Sequence, residues 1–224
     1  MAKDRVLRLI LWILSAPYIF ISFLLNIFRW NGIHNDLEKC LNAAGSQRET
    51  IPQVFIDALI VCEDRRNPMH PGIDPISIVR AIYVFTISRK IQGASTIEQQ
   101  FVRVVLNRYE RTIARKFREQ IVAMLLASRI NKNKISSSYL SLAFYGSASI
   151  GINGLKSKFG NELENVSFED ALKMVAQLKY PRPLSTNEEW QGKIDKRINY
   201  LLINTRKKSS KLSLSTPQVS VSEL

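Results

Sequence analysis

Residues 93–119 read GASTIEQQFVRVVLNRYERTIARKFRE, and this stretch decides how the chain folds. Ser95-Thr96-Ile97-Glu98 has the spacing of a capping box, which starts a helix. A second helix is expected from about Arg111 to Ile130. It sets Arg111, Arg115 and Arg118 at i, i+4 and i+7, on one face. Working outward, Gln53 to Cys62 has apolar residues at helical spacing and delivers Glu63 at its end. Residues 65–75, RRNPMHPGIDP, then form a loop rich in Pro, Asn and Gly. Asp74 caps the next helix and Pro75 suits its first turn, with an end near Arg89. Further helices are expected over 135–144, 167–178 (capped by Ser167) and 190–204. Strand signals are nearly absent, so the fold class is mostly α.

The chain has 224 residues, 46% of them apolar, which is enough for one medium domain with its own core. Its formal net charge of +13 favours an anionic partner. Leu9 to Phe28 is an apolar run of about 20 residues, the length that spans hydrocarbon. Lys3, Arg5 and Arg8 precede it and only Arg29 follows closely, which places the N-terminus in the cytoplasm and the rest outside. The run exceeds a usual signal-peptide core and no small-x-small cleavage site follows, so an uncleaved single-pass anchor is expected. The expected division is a stub and anchor over 1–30, a linker over 31–50, the soluble domain over 51–204 and a disordered Ser- and Lys-rich tail over 205–224. Cys40 and Cys62 set no disulfide framework, and with His34 and His70 as the only histidines no metal-ligand cluster is readable.

Three features can carry chemistry. Guanidiniums on one helix face repel one another unless an anion or carboxylate lies among them, and Glu119 stands i+4 from Arg115. Arginine suits phosphate because its fork donates two parallel hydrogen bonds. Between residues 89 and 119 there are eight Lys or Arg and three Glu, a local balance of +5. The plainer reading of that face is a solvated surface helix. Glu63, at the end of an apolar helix, is a candidate general base, since desolvation raises a carboxyl pKa and improves its basicity. The plainer reading is a pair between Glu63 or Asp64 and Arg65 or Arg66. Ser95, Thr96, Gln99 and Gln100 sit at a helix start, where free N–H groups favour anions and spare amides can hydrogen-bond a sugar. Ordinary capping explains the same residues without a ligand.

Together these residues resemble the peptidoglycan glycosyltransferase family, which comprises small monofunctional transglycosylases and the N-terminal half of class A penicillin-binding proteins. The resemblance covers roughly residues 50–203. The family's E-D-x-x-F-x-x-H-x-G-x-D is matched by Glu63 to Asp74, with Asn67 for the Phe. G-G-S-T-I-x-Q-Q is matched by Gly93 to Gln100, with Ala94 for the second Gly; Arg103 and Val104 follow where Lys and Asn are usual. R-K-x-x-E is Arg115-Lys116-Phe117-Arg118-Glu119. A fourth motif, I-L-E-x-Y-L-N, is weaker: Ser137 and Ser141 replace its Glu and Asn. Lys196-Arg197 represents a fifth.

The resemblance implies a lysozyme-like, two-lobed domain behind one transmembrane helix in the bacterial inner membrane. The implied reaction polymerises lipid II, a disaccharide-peptide on undecaprenyl pyrophosphate, onto a nascent glycan chain. Glu63 would deprotonate the acceptor hydroxyl. Glu119 would help the departing pyrophosphate, directly or through a divalent cation (magnesium or manganese), and no other cofactor is called for. Arg103, Arg111 and Arg118 match pyrophosphate-binding positions; Asp64, Ser95, Gln99, Gln100, Arg115, Lys116 and Arg197 match other positions of the substrate cleft. Implied partners are membrane phospholipids and other cell-wall synthesis proteins, with no nucleic acid. At this length no transpeptidase domain is expected. Two other readings stay open: a non-catalytic relative that binds lipid-linked saccharide or scaffolds an envelope complex, and a muramidase that uses one Glu to cut finished polymer.

Overall fold

A computed structural model describes residues 2–47 and 49–213. The chain runs α1 (Ala2–Ile27), α2 (Asn31–Gly45), α3 (Gln53–Glu63), a 3-10 turn (Asn67–Met69), α4 (Pro75–Ser88), α5 (Ile97–Leu106), α6 (Ile113–Ala127) and α7 (Lys132–Leu140). There follow β1 (Phe144–Gly146), β2 (Ser149–Ile150), α8 (Gly151–Phe159), a second 3-10 turn (Leu163–Asn165), α9 (Phe168–Ala176) and α10 (Glu188–Ser213). The mostly α, lysozyme-like class expected from sequence is the class observed. The additions are α8 and a short antiparallel hairpin of β1 and β2. Helix α7 stops at Leu140, four residues before the expected end, and the chain turns into β1.

α6 is the central element. Glu119 to Leu126 are all buried, because a helix surrounded by others needs apolar residues on nearly every side. α2 and α5 pack on α6, and α7 packs on α5 and α2. α3, α9 and α10 form a second group, joined to the first where α3 meets α7. Phe55, Phe101, Ile121, Leu126, Ile135 and Tyr145 fill the core.

Residues 31–45, expected as linker, are helix α2 and belong to the packed domain. Ile33, Leu37, Cys40 and Ala44 recur at helical spacing and are all buried, and burying that stripe is what folds the segment. The tail boundary expected at 204 also moves, since α10 continues to Ser213; residues 214–224 lie outside the described residues.

Helix starts follow the hydroxyls and carboxylates in the sequence. Asp74 caps α4, accepting from the Ser77 N–H at 3.0 Å, with Pro75 in the first turn. Ser167 caps α9, accepting from the Asp170 N–H at 3.1 Å. α5 is capped by Thr96, which accepts from the Gln99 N–H at 3.3 Å, and not by Ser95. Glu98 does not close a capping box; its carboxylate is buried and takes the Lys132 ammonium at 2.6 Å. α6 is capped by Thr112.

α1 holds an 18-residue window of mean hydropathy 2.0, long and apolar enough to cross a membrane. One face lies on the domain, with Leu11, Ser15 and Ser22 buried and Ser22 against the Met124 sulfur on α6. The rest of α1 is largely exposed. α4 is also apolar, but only Ser77 of it is buried; Val79, Ile82, Tyr83, Phe85 and Ile87 face outward beside α1. Three residues, 28–30, join α1 to α2, and Arg29 among them takes a left-handed φ of 45°.

Candidate active site

A cleft of about 480 Å³ opens where α3, α5 and α10 approach the 92–96 loop. Glu63, Arg65, Arg66, Ser95, Gln100, Arg103 and Arg197 line it. Glu63 is the last residue of α3, so the apolar helix fixes its backbone while the side chain reaches the cleft, 16% exposed. One carboxylate oxygen accepts from Arg197 Nη2 at 2.6 Å and the other from Gln100 Nε2 at 3.2 Å. Gln100 Oε1 in turn accepts from the Tyr139 hydroxyl at 2.7 Å. Burial pushes the Glu63 carboxyl above its ordinary value, outweighing the opposite pull of Arg197, Gln100 and Lys179.

Glu119 sits in a different setting. Its side chain is 3% exposed. Arg103 donates to both of its oxygens at 3.0 Å, Arg115 adds a bond at 2.5 Å and Lys116 one at 2.6 Å. Burial raises this carboxyl too, but the Arg103 hydrogen bonds and the Lys116 charge reverse the direction and hold it below its ordinary value. Lys116 also donates to Ser95 Oγ at 2.9 Å and Gln99 Oε1 at 2.5 Å, and Arg103 donates to Ser95 Oγ at 3.1 Å. Ser95, Gln99, Arg103, Arg115, Lys116 and Glu119 thus form one cationic cluster. Ser95 and Arg103 present it to the cleft, and Glu119 lies behind them, outside the cleft lining.

Two predicted residues fall elsewhere. Arg111 precedes α6, because the helix begins only after Thr112; it is exposed and makes no ion pair among the described residues. Arg118 turns to α2, donating to Asp36 Oδ2 at 2.5 Å and to the Gly32 carbonyl at 2.6 Å. Arg108 donates to the same carboxylate at 2.9 Å, so Asp36 holds two arginines. The expected Arg face is therefore split between Glu119 and Asp36. Asp64, next to Glu63, lines the cleft as expected but is itself buried; His70 Nε2 lies 3.0 Å from it and the Ile97 N–H donates to it at 3.2 Å. The Gly72 N–H donates to His70 Nδ1 at 3.2 Å, which assigns the ring proton to Nε2 and makes Asp64 its acceptor. Burial raises the Asp64 carboxyl, but His70, Lys132 and the Ile97 N–H bring it below its ordinary value. Gly72 has a φ of 113°, and a Cβ there would stand 2.9 Å from the Ala123 carbonyl and the Met124 Cα, so glycine lets this loop press on α6.

Two of the departures from the motifs, Asn67 and Ser137, make buried hydrogen bonds. Asn67 donates to Glu98 at 3.1 Å, inside the buried group completed by Lys132. Ser137 accepts from the Gln47 amide at 2.7 Å and the Ile51 N–H at 3.1 Å, while Ser138 donates to Gln47 at 2.7 Å. Sequence reasoning missed Asp36, Gln47 and the role of Tyr139; the only signal for Asp36 was the apolar stripe around it on α2.

As for metal, Asp64, His70 and Glu98 bring ligand atoms within 4.8 Å of one another. The Lys132 ammonium already neutralises Glu98, and the Gly72 N–H covers His70 Nδ1. Glu119 has both oxygens taken by three cationic side chains, so a divalent ion does not fit there without displacing them.

The profile of the Transglycosylase family matches residues 36–206. Penicillin-binding protein 1B of Vibrio cholerae is 33% identical over 141 residues, which is 60% of this chain and 18% of that protein. Penicillin-binding protein 1A of Aquifex aeolicus is 35% identical over 135 residues, 59% of this chain and 19% of that protein. Penicillin-binding protein 1A of Haemophilus influenzae is 34% identical over 155 residues, 66% of this chain and 18% of that protein. The chain spans about a fifth of the length of these relatives.

Proposed function

This chain belongs to the Transglycosylase family, and from that premise we propose that it is a peptidoglycan glycosyltransferase, which lengthens glycan strands from lipid II. The observation that carries the reading is Glu63: a half-buried carboxylate with a raised pKa, held between Arg197 and Gln100 in a cleft whose other wall is the cationic cluster.

Glu63 takes the proton of the acceptor sugar's 4-hydroxyl. The freed oxygen bonds to the anomeric carbon of the donor chain, which inverts from α to β as its bond to the pyrophosphate oxygen breaks. The electron pair leaves with undecaprenyl pyrophosphate. General base help of this kind contributes about 10²–10⁴-fold. Arg103, fixed by Glu119 and Ser95, and the neighbouring Arg115 and Lys116 meet the negative charge on the leaving group; donors fixed in advance need no reorganisation as that charge develops. Glu119 acts by holding these cations in place, and no step runs through a metal ion. α1 spans the inner membrane with its N-terminus in the cytoplasm, a reading supported by Lys3, Arg5 and Arg8 ahead of the span.

The buried cluster favours this reading over a muramidase, which has no pyrophosphate to meet. The filled places at Asn67 and Ser137 favour an ordered site over a degraded one. The test is incubation of detergent-solubilised protein with labelled lipid II, with products resolved by gel and Glu63→Gln alongside. Glycan ladders are expected from the wild type only. Ladders from folded Glu63→Gln would remove Glu63 as the base, and their absence from the wild type would remove the reaction.

A further inference from the structure

We propose that Tyr139 is a positioning residue for the base, acting through the amide of Gln100, which it orients so that the amino end faces Glu63. The proposal rests on Glu63 being the base. A phenol has one proton to donate, and Tyr139, buried on α7, stands 2.7 Å from one end of the Gln100 amide, while Glu63 stands 3.2 Å from the other. The two ends of an amide differ only in what they give and take. With the Tyr139 proton on Gln100 Oε1, the amino group turns to the carboxylate, and both contacts are satisfied when Glu63 is ionised.

Once Glu63 has taken a proton, its hydroxyl can donate to Gln100 only if the amide reverses and turns Oε1 towards it. Gln100 Nε2 then faces the Tyr139 oxygen, and the Tyr139 proton loses its acceptor. The Tyr139 hydroxyl is therefore matched by Gln100 only while Glu63 is ionised, so it favours the ionised carboxylate. α7 is anchored close to this contact, because Ser137 and Ser138, in the turn before Tyr139, are tied to Gln47. The other groups facing Glu63 are Arg197 from α10, Lys179 after α9 and Cys62 on its own helix, with Arg103 of α5 facing Tyr139. None of them changes when the Tyr139 hydroxyl is removed.

Tyr139→Phe deletes one oxygen and nothing else, and circular dichroism checks that it folds. The carboxyl carbon of Glu63 is followed by NMR in the ¹³C-labelled, detergent-solubilised full chain, its signal identified by its loss in Glu63→Gln. In Tyr139→Phe its titration midpoint is expected to rise by roughly half to one pH unit, the shift that losing the net worth of one hydrogen bond produces. Gln100→Leu is expected to raise it too, and adding Tyr139→Phe to that variant is expected to change nothing further. In lipid II turnover the acid limb of kcat/KM moves up with the midpoint and KM is unchanged. An unmoved midpoint in Tyr139→Phe or in Gln100→Leu overturns the relay, as does a Tyr139→Phe shift that persists without Gln100. A loss of turnover equal at every pH assigns Tyr139 to packing alone. The titration needs no turnover, so a wild type that makes no glycan sinks the proposed reaction and still leaves the relay to be decided.

Discussion

Glu63 is half-buried and Glu119 fully buried, yet the two carboxyls are pushed in opposite directions because the surrounding charges differ in number. One arginine, one lysine and an amide leave Glu63 raised; three hydrogen-bonded cationic side chains leave Glu119 lowered. A base must be ionised before it can accept a proton, so turnover should fall as pH drops through a limb above the ordinary glutamate value, read from kcat/KM against pH. Stability falls in the same direction, but at lower pH. Asp64 and Glu119 have depressed folded-state values, so their contribution is present above their ordinary values of 3.8 and 4.5 and is lost as pH falls through the folded ones, a loss that denaturant titrations below neutral pH measure. Glu119→Gln should cost roughly 2–4 kcal/mol in the same titrations, less than for a wholly buried pair because Arg103 and Lys116 reach solvent. At this scale the sequence was informative where motif and contact coincide, as for Glu63, Gln100, Arg103 and Lys116. It misplaced Arg111 and Arg118, since the start of α6 at Thr112 and the partner Asp36 on α2 are not visible in the spacing of the arginines.

Among the elements, α2 changes the account most. Its polar residues read as linker, but its apolar stripe packs on α5 and α6, and its one buried carboxylate gathers Arg118 from α6 and Arg108 from just beyond α5. Asp36→Ala leaves both guanidiniums without their counter-charge and should destabilise the domain by roughly 3 kcal/mol in chemical unfolding. Arg118→Ala should cost less, and the double variant less than the sum, because the two share one contact. α7 was legible as a helix but not in length, because burial of Tyr145 and the close approach of Gly146 to Arg182 end it and start the hairpin. Those are contacts over long sequence separation, which local pattern does not report.

For the molecule as a whole, the exposed apolar face of α4 lies next to α1, so under the proposed function the surface facing lipid would extend from α1 onto the domain. Substituting Lys at Ile82 and Phe85 should depress turnover of vesicle-embedded substrate far more than of detergent-dispersed substrate, a comparison made on the same preparation. Equal losses in both would assign α4 another role. The long apolar helix α1 was legible from hydropathy alone; the α4 face was not, because an apolar helix reads as core until its neighbours are known.

The join between α1 and α2 sets the reach of the whole. Three residues span at most about 10 Å even when fully extended. Under the proposed function, with α1 in lipid, the cleft would patrol a thin sheet above the bilayer and search for substrate in two dimensions. A strand lengthening there would have to leave sideways or outward past the domain, since so short a join gives no slack with which to follow it.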